Sequence, residues 1–302
     1  MRIVYLGTPP DAVEPLRALV AAGHDVAFVV TQPDRRRSRG TGSDPSPVKQ
    51  AALELGLDVR TPAKARELVD DLRASGAQLG VVVAFGQLLP LTVLEALPHG
   101  FVNLHFSLLP RWRGAAPVER AMLAGDVETG VCLMRLEAGL DTGPVYACVR
   151  VPIMSRDTAG DLRARLVEAG TALLLEQLPR LLDAVPEPQS GEPTYAEKLS
   201  VDEFRLDPQR PSLELERVVR AGNPRPGAWL AVSGRRVKVW RAHDDEEALP
   251  PALAPGDISP DAVLGCASGA LVLDEVQPEG KRVMSARAWR AGVRGPAHVD
   301  AP

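Results

Sequence analysis

The first thirty residues constrain the fold more than any other part of the chain. RIVYLG (2–7) is a short apolar, β-rich run ending in a glycine, as a buried parallel strand does. DAVEPLRALVAAG (11–23) carries apolar residues at helical spacing, with Gly23 where a helix cap belongs. HDVAFVVT (24–31) then reads as a second strand. Strand, helix and strand at this spacing make a βαβ unit.

The pattern recurs. VKQAALELG reads as helix, LDVRT as a short strand, KARELVDDLRASG as helix and LGVVVAF as a strongly β-branched buried strand. LTVLEAL, FVNLHF, APVERAMLAG, TGVCLMRL and PVYACVRVPI continue as helix, strand, helix, strand and strand. Such alternation predicts an α/β, Rossmann-like doubly wound domain with its ligand crevice at the carboxyl ends of the strands. The helical pattern TAGDLRARLVEAGTALLLEQLPRLLDA closes it. VPEPQSGEPTYAEKLS is the best linker candidate, after which the grammar changes to short strands with Gly/Pro turns, including a hairpin signal at Ser233-Gly234. The expected division is 1–185 for the first domain, 186–204 for a linker and 205–302 for a small barrel-like domain.

Composition excludes several classes. A formal net charge of −4 over 302 residues does not suit a general nucleic-acid binder, although a local basic patch remains open to it. The three cysteines, Cys132, Cys148 and Cys266, are odd in number, widely spaced and free of any CxxC. That argues against a disulfide framework or a zinc site and fits a reducing cytoplasm. MRIVYLGTPP is too short for a signal peptide, and no apolar run reaches the length of a membrane span.

Three features carry possible chemistry. Asn103 and His105 occupy positions i and i+2 of a strand, so both side chains leave the same face, at the strand's carboxyl end. A structural polar pair and a substrate-facing pair are equally compatible with that spacing. Asp141 lies in EAGLDTGPV, between Gly139 and Gly143 and again beyond a strand end; spacing alone favours an ordinary turn. The long loop Thr31–Lys49 contains Arg35, Arg36, Arg37 and Arg39; a solvated charge run is the usual reading, phosphate contact the functional one. The first strand–helix turn is GTPPDA rather than GxGxxG, and no GxxxxGK[ST], GxSxG or HExxH occurs, so NAD, ATP and catalytic metal are not expected.

GTPP, TQPDR, PSPVK, VVVAFGQLLP, NLHFSLLPRWRGAAPVERA, GDVETGV, EAGLDTG, TYAEKLS and NPRPGAWL…VKVW occur in this order. Together they resemble the methionyl-tRNA formyltransferases of the wider 10-formyltetrahydrofolate-dependent formyltransferase family, from residue 1 to about Ser285. Asn-x-His before SLLP is shared across the wider family, whereas SLLPRWRGAAP and TYAEKLS are narrower. The resemblance implies formyl transfer from 10-formyltetrahydrofolate to the α-amine of methionine on initiator Met-tRNA, with an OB-like barrel as the second, tRNA-binding domain. It implies a catalytic trio of Asn103, His105 and Asp141. Folate contacts fall on Ser107, Leu108, Leu109 and Pro110 and on a pterin wall of Phe85, Gly86, Gln87, Leu88 and Leu89. The tRNA-contacting loop is Thr31–Lys49, with Arg39 its key residue. Phe106 departs from the small residue usual in the family. The Arg111-Trp112-Arg113 rim is expected to frame the entrance for the aminoacylated end. A cytoplasmic enzyme is expected, monomeric and independent of metal. The rivals are a formyltransferase acting on a small amine, such as glycinamide ribonucleotide or an amino sugar nucleotide, and a non-catalytic RNA-binding module.

Overall fold

Strand β1 (Arg2–Gly7) buries every side chain after Arg2, so its apolar run is satisfied only with a neighbour on either side. The computed structural model supplies them and describes residues 1–36, 43–244 and 253–301. Strand β2 (Asp25–Val30) lies parallel to β1 on one side, and β4 (Leu79–Val83) lies parallel to it on the other. Between β1 and β2 the helix Val13–Ala21 buries Pro15, Leu16 and Leu19, and the chain leaves it through Gly23 at φ +81°. The helix Pro47–Glu54 starts where Ser46 Oγ accepts the Lys49 amide at 3.0 Å and Pro47 takes the first turn.

With β3 (Val59–Arg60), β5 (Phe101–His105), β6 (Glu128–Arg135) and β7 (Val145–Pro152), the sheet has the order β7-β6-β5-β4-β1-β2-β3. The strands from β3 to β5 are parallel and reverse their order at β1, which is the switch point of the sheet. Strands β6 and β7 run antiparallel to their neighbours. The segment between them is too short for a crossover, so it can only return as a hairpin. The core beneath the sheet gathers Val4, Leu6, Phe28, Val82, Phe85 and Phe101. Phe101 covers Gly80 across the β4–β5 pair, where a Cβ on Gly80 would stand 2.0 Å from the ring. Phe101→Ala is expected to cost about 3–5 kcal/mol in urea unfolding; a loss below about 1 kcal/mol would contradict this packing.

One reading of the cysteines is corrected. Cys132 on β6 stands directly opposite Cys148 on β7, with Cα atoms 4.1 Å apart, and the two form a disulfide. Distance along the chain argued against pairing, but the hairpin register brings residues sixteen apart face to face. Cys266 is free and buried, and burial pushes its thiol pKa up to about 11.

The chain divides into two compact units. The first comprises Met1–Pro117, Glu128–Pro152 and Arg163–Ala196; the second comprises Val118–Val127, Ile153–Leu162 and the chain from Glu197 onward. The stretch expected as a linker is therefore shared between them at Ala196/Glu197. In the second unit, Ala228–Val232 and Arg235–Asp244 form the expected hairpin, with Ser233 and Gly234 at φ +52° and +73° as a type I′ turn requires. The strands Ala270–Pro278, Val263–Gly265, Asp257–Ile258 and Ala297–His298 extend this antiparallel sheet. The sheet curls until Val232 bridges to Val299, and the helix Ser212–Gly222 buries Leu215, Val218 and Val219 in the same unit. No described helix is long and apolar enough to cross a membrane.

Candidate active site

Strand β5 presents Phe101, Val102 and Leu104 to the interior and delivers Asn103 and His105 to one face at its carboxyl end. His105 is 5% exposed. Its Nε2 lies 2.9 Å from the carbonyl oxygen of Trp112. A carbonyl only accepts, so Nε2 carries the hydrogen and the other ring nitrogen is left to face the Asp141 loop. That nitrogen, Nδ1, stands 3.6 Å from Asp141 Oδ2. The separation exceeds a hydrogen bond and suits an ion pair whenever the ring is protonated. Among the described residues the Asn103 carboxamide has no hydrogen-bond partner, which leaves both its donor and its acceptor for a ligand.

Asp141 reaches this position from the β6–β7 loop. Its backbone is left-handed at φ +50°, and its Oδ2 accepts the Gly114 amide at 2.8 Å. The loop turns tightly here, since a Cβ on Gly143 would stand 1.9 Å from the Arg135 carbonyl oxygen. Trp112 is also left-handed, at φ +61°, a conformation held by its amide donating to Thr194 Oγ1 at 2.9 Å and its carbonyl accepting from His105. The Arg111 guanidinium stacks over the Trp112 ring at 4.6 Å. Arg113 turns toward Gln189, to which Nε and Nη2 donate at 3.0 and 2.6 Å. Trp112 and Arg113 of the Arg-Trp-Arg rim thus support the site through hydrogen bonds, as does the Arg111 carbonyl. After His105, Ser107 is fully buried and its Oγ donates to the Arg111 carbonyl at 2.5 Å, closing the turn that carries Leu108, Leu109 and Pro110.

Residues 85–89 leave β4 beside this point, because Val82 pairs with Asn103 across the parallel β4–β5 ladder. Phe85 is buried in the core, and its carbonyl accepts from Thr8 Oγ1 at 2.8 Å and Gln32 Nε2 at 3.2 Å. Gln32 also donates to the Gly86 carbonyl at 2.9 Å. Gln87 Oε1 accepts the Ala65 amide at 2.9 Å, whereas Leu88 is 79% exposed. Gln87, Leu88 and Leu89 line a groove of about 490 Å³ together with Lys64, Arg66 and Ala138 of the Asp141 loop. The backbone of Arg35–Arg36 pairs with Ser43–Asp44, and Arg37 and Arg39 lie outside the described residues.

The structure therefore brings Asn103, His105 and Asp141 together, with the SLLP turn and the 85–89 loop beside them. Sequence reasoning missed Thr8, Gln32, Gln189 and Thr194, whose polar groups hold these loops. Gln189 and Thr194 fall in a polar, proline-rich stretch with no periodicity, so no local signal marks them. Thr8 and Gln32 follow strand ends at the switch point, and that position could have identified them.

Residues 1–178 match the family model for formyl transferase, and residues 198–294 match that for the formyl transferase C-terminal domain. The methionyl-tRNA formyltransferase of Ruegeria pomeroyi is 46% identical over 296 residues, covering 97% of both chains. That of Thermus thermophilus is 46% identical over 97% of this chain and 96% of its own. Among solved structures, a complex of HypX from Aquifex aeolicus with tetrahydrofolic acid superposes with a TM-score of 0.66 at 18% identity, over 96% of this chain and 46% of the other, which speaks to fold alone. With both family models matched along most of its length and near-full-length relatives at this identity, the chain belongs to the formyl transferase family, beside the methionyl-tRNA formyltransferases.

Proposed function

We propose that this protein transfers the formyl group of 10-formyltetrahydrofolate to the α-amino group of methionine on initiator Met-tRNA, yielding N-formylmethionyl-tRNA for translation initiation. The observation that carries the reading is the meeting of Asn103, His105 and Asp141 at the end of β5 in a chain that aligns end to end with enzymes of that name. The neutral amine attacks the formyl carbon, a new C–N bond forms, and the former carbonyl oxygen becomes an oxyanion. The Asn103 amide and a protonated His105 Nδ1 donate to that oxygen; preorganised donors of this kind are worth roughly 10²–10³ in rate each. Asp141 orients the imidazole and directs the amine's proton toward N10 as the C–N10 bond breaks, a positioned acid–base role worth roughly 10²–10⁴. The net change is one formyl group exchanged for one hydrogen between the two nitrogens.

The folate lies along the Ser107–Pro110 turn and the Phe85–Leu89 loop, where Leu108, Leu109, Pro110 and residues 86–89 offer the surface while Ser107 and Phe85 are buried behind them. The groove beside Gln87, Leu88 and Leu89 supports this, with apolar surface for a ring system and Lys64 and Arg66 for carboxylates. The residues that touch the reacting groups lie in 1–185, and residues 186–204 lead from them to the second domain. Residues 205–302 form an OB-like, tRNA-binding domain, a reading supported by the curled antiparallel sheet bridged at Val232–Val299. The protein works as a cytoplasmic monomer, without metal, NAD or ATP.

The test supplies 10-formyltetrahydrofolate with initiator Met-tRNA, glycinamide ribonucleotide or an amino sugar nucleotide, and follows tetrahydrofolate release. Transfer to Met-tRNA alone is expected. Transfer only to a small amine, or none at all by folded protein, contradicts the reading. Arg35, Arg36, Arg37 and Arg39 supply phosphate contacts. Arg39→Ala is expected to raise the KM for Met-tRNA on the order of tenfold, the loss of one charge-assisted contact, with the folate KM unchanged. An unchanged tRNA dependence would return the loop to a solvated charge run.

A further inference from the structure

Residues 187–196 carry no regular pattern, yet they are stitched to the catalytic loops at both ends. Glu187 bridges Val145 at the start of β7, with reciprocal backbone bonds of 2.8 and 2.9 Å. Thr194 accepts the Arg113 amide on its carbonyl at 2.9 Å, and Tyr195–Ala196 forms a short parallel ladder with Arg113–Gly114. The fit at Gly114 is close: its φ is +124°, and a Cβ there would stand 2.6 Å from the Ala196 carbonyl oxygen.

Between these anchors Gln189 uses its whole hydrogen-bonding capacity. Nε2 donates to the Asp141 and Gly143 carbonyls, both at 2.8 Å. Oε1 accepts from Arg113 Nε and Nη2 at 3.0 and 2.6 Å. The partners dictate the orientation of the amide, since turning it over would set its oxygen against two carbonyls and its N–H groups against a guanidinium. They also dictate the residue type, because no other side chain of that length presents two donors on one side and an acceptor on the other. Asp141 sits in a left-handed conformation, which Asp tolerates better than most residues with a Cβ, and the two bonds from Gln189 hold the backbone there.

We propose that Gln189, held by Arg113, is a positioning residue for formyl transfer: it fixes the backbone on both sides of Thr142 and thereby aims the Asp141 carboxylate at His105. This rests on the reading that Asp141 acts in the transfer. The arrangement also makes the segment 187–196, and not only the loop between β6 and β7, part of the device that sets the reacting geometry.

The experiment compares Gln189→Glu, Gln189→Ala and Asp141→Asn in the full-length enzyme, measuring kcat, both KM values and the thermal unfolding midpoint. Gln189→Glu keeps the shape and the Arg113 partner but turns an oxygen toward two carbonyls; Gln189→Ala serves if that variant does not fold. The expected result is a kcat lowered on the order of 10- to 100-fold, as a displacement of about 1 Å can produce, with both KM values within about threefold of the parent. A purely structural role would lower the unfolding midpoint and leave kcat per folded molecule at the parent value, and that outcome overturns the proposal. Should Asp141→Asn keep the parent rate, the role of Asp141 falls and the proposal falls with it. Loss of rate in Asp141→Asn beside full rate in both Gln189 variants overturns the proposal alone.

Discussion

His105→Ala is expected to lower the rate of formyl transfer by about 10³-fold, the scale of one preorganised donor combined with its share in proton movement. The expectation rests on how completely the ring is placed. It is buried, its Nε2–H is taken by the Trp112 carbonyl, and only Nδ1 remains to meet the reacting groups beside Asp141. Alanine removes that donor and leaves the Trp112 carbonyl without its partner. The groove beside residues 87–89, where the folate is proposed to lie, is lined by other side chains, so the folate dissociation constant should stay within about threefold of the parent. Single-turnover rates at saturating substrates, with folate binding measured separately, check both halves. A variant within about threefold of the parent rate would remove His105 from the mechanism.

Gly143→Ala is expected to be nearly as damaging, although its side chain would touch no substrate. A Cβ there would stand 1.9 Å from the Arg135 carbonyl oxygen, a backbone atom on β6 that no rotamer change can move. The β6–β7 loop must shift instead, and it carries Asp141 two residues away. The shift also pulls the Gly143 carbonyl from Gln189. Overpacking of this kind costs about 1–3 kcal/mol, and a displaced carboxylate costs on the order of 10²-fold in kcat. Urea unfolding and steady-state rates on the same preparation test the pair of effects. Full activity in a well-folded variant would show that the loop tolerates movement and that the Asp141 geometry is not critical.

Much of the site was legible because its signals are local. The i, i+2 spacing of Asn103 and His105 reports a shared face on any strand, and the glycines around Asp141 report a tight turn. Gln189 gave no such report. Its role depends on a carbonyl 48 residues away and a guanidinium 76 residues away, and nothing in PEPQSGEP marks it as more than connection. The cysteines failed for the same reason. Their sixteen-residue separation says nothing of register, which is set by where the β6–β7 hairpin turns. The antiparallel course of β6 against β5 was likewise hidden, since a buried apolar strand reads the same in either direction, whereas the short segment before β7 already required a hairpin.

By itself, the chain's pattern of apolar residues determined the main strands and helices of residues 1–185, the opening βαβ unit and the hairpin at Ser233-Gly234, because periodicity and turn chemistry act over a few residues; the short strands Asp257–Ile258 and Ala297–His298 gave no such signal. Only the tertiary structure decided how far Asp141 stands from His105, which nitrogen of the ring is committed to Trp112, and that Gln189 clasps the loop between them. Those are distances between segments far apart in the chain, and they are set by sheet order and packing.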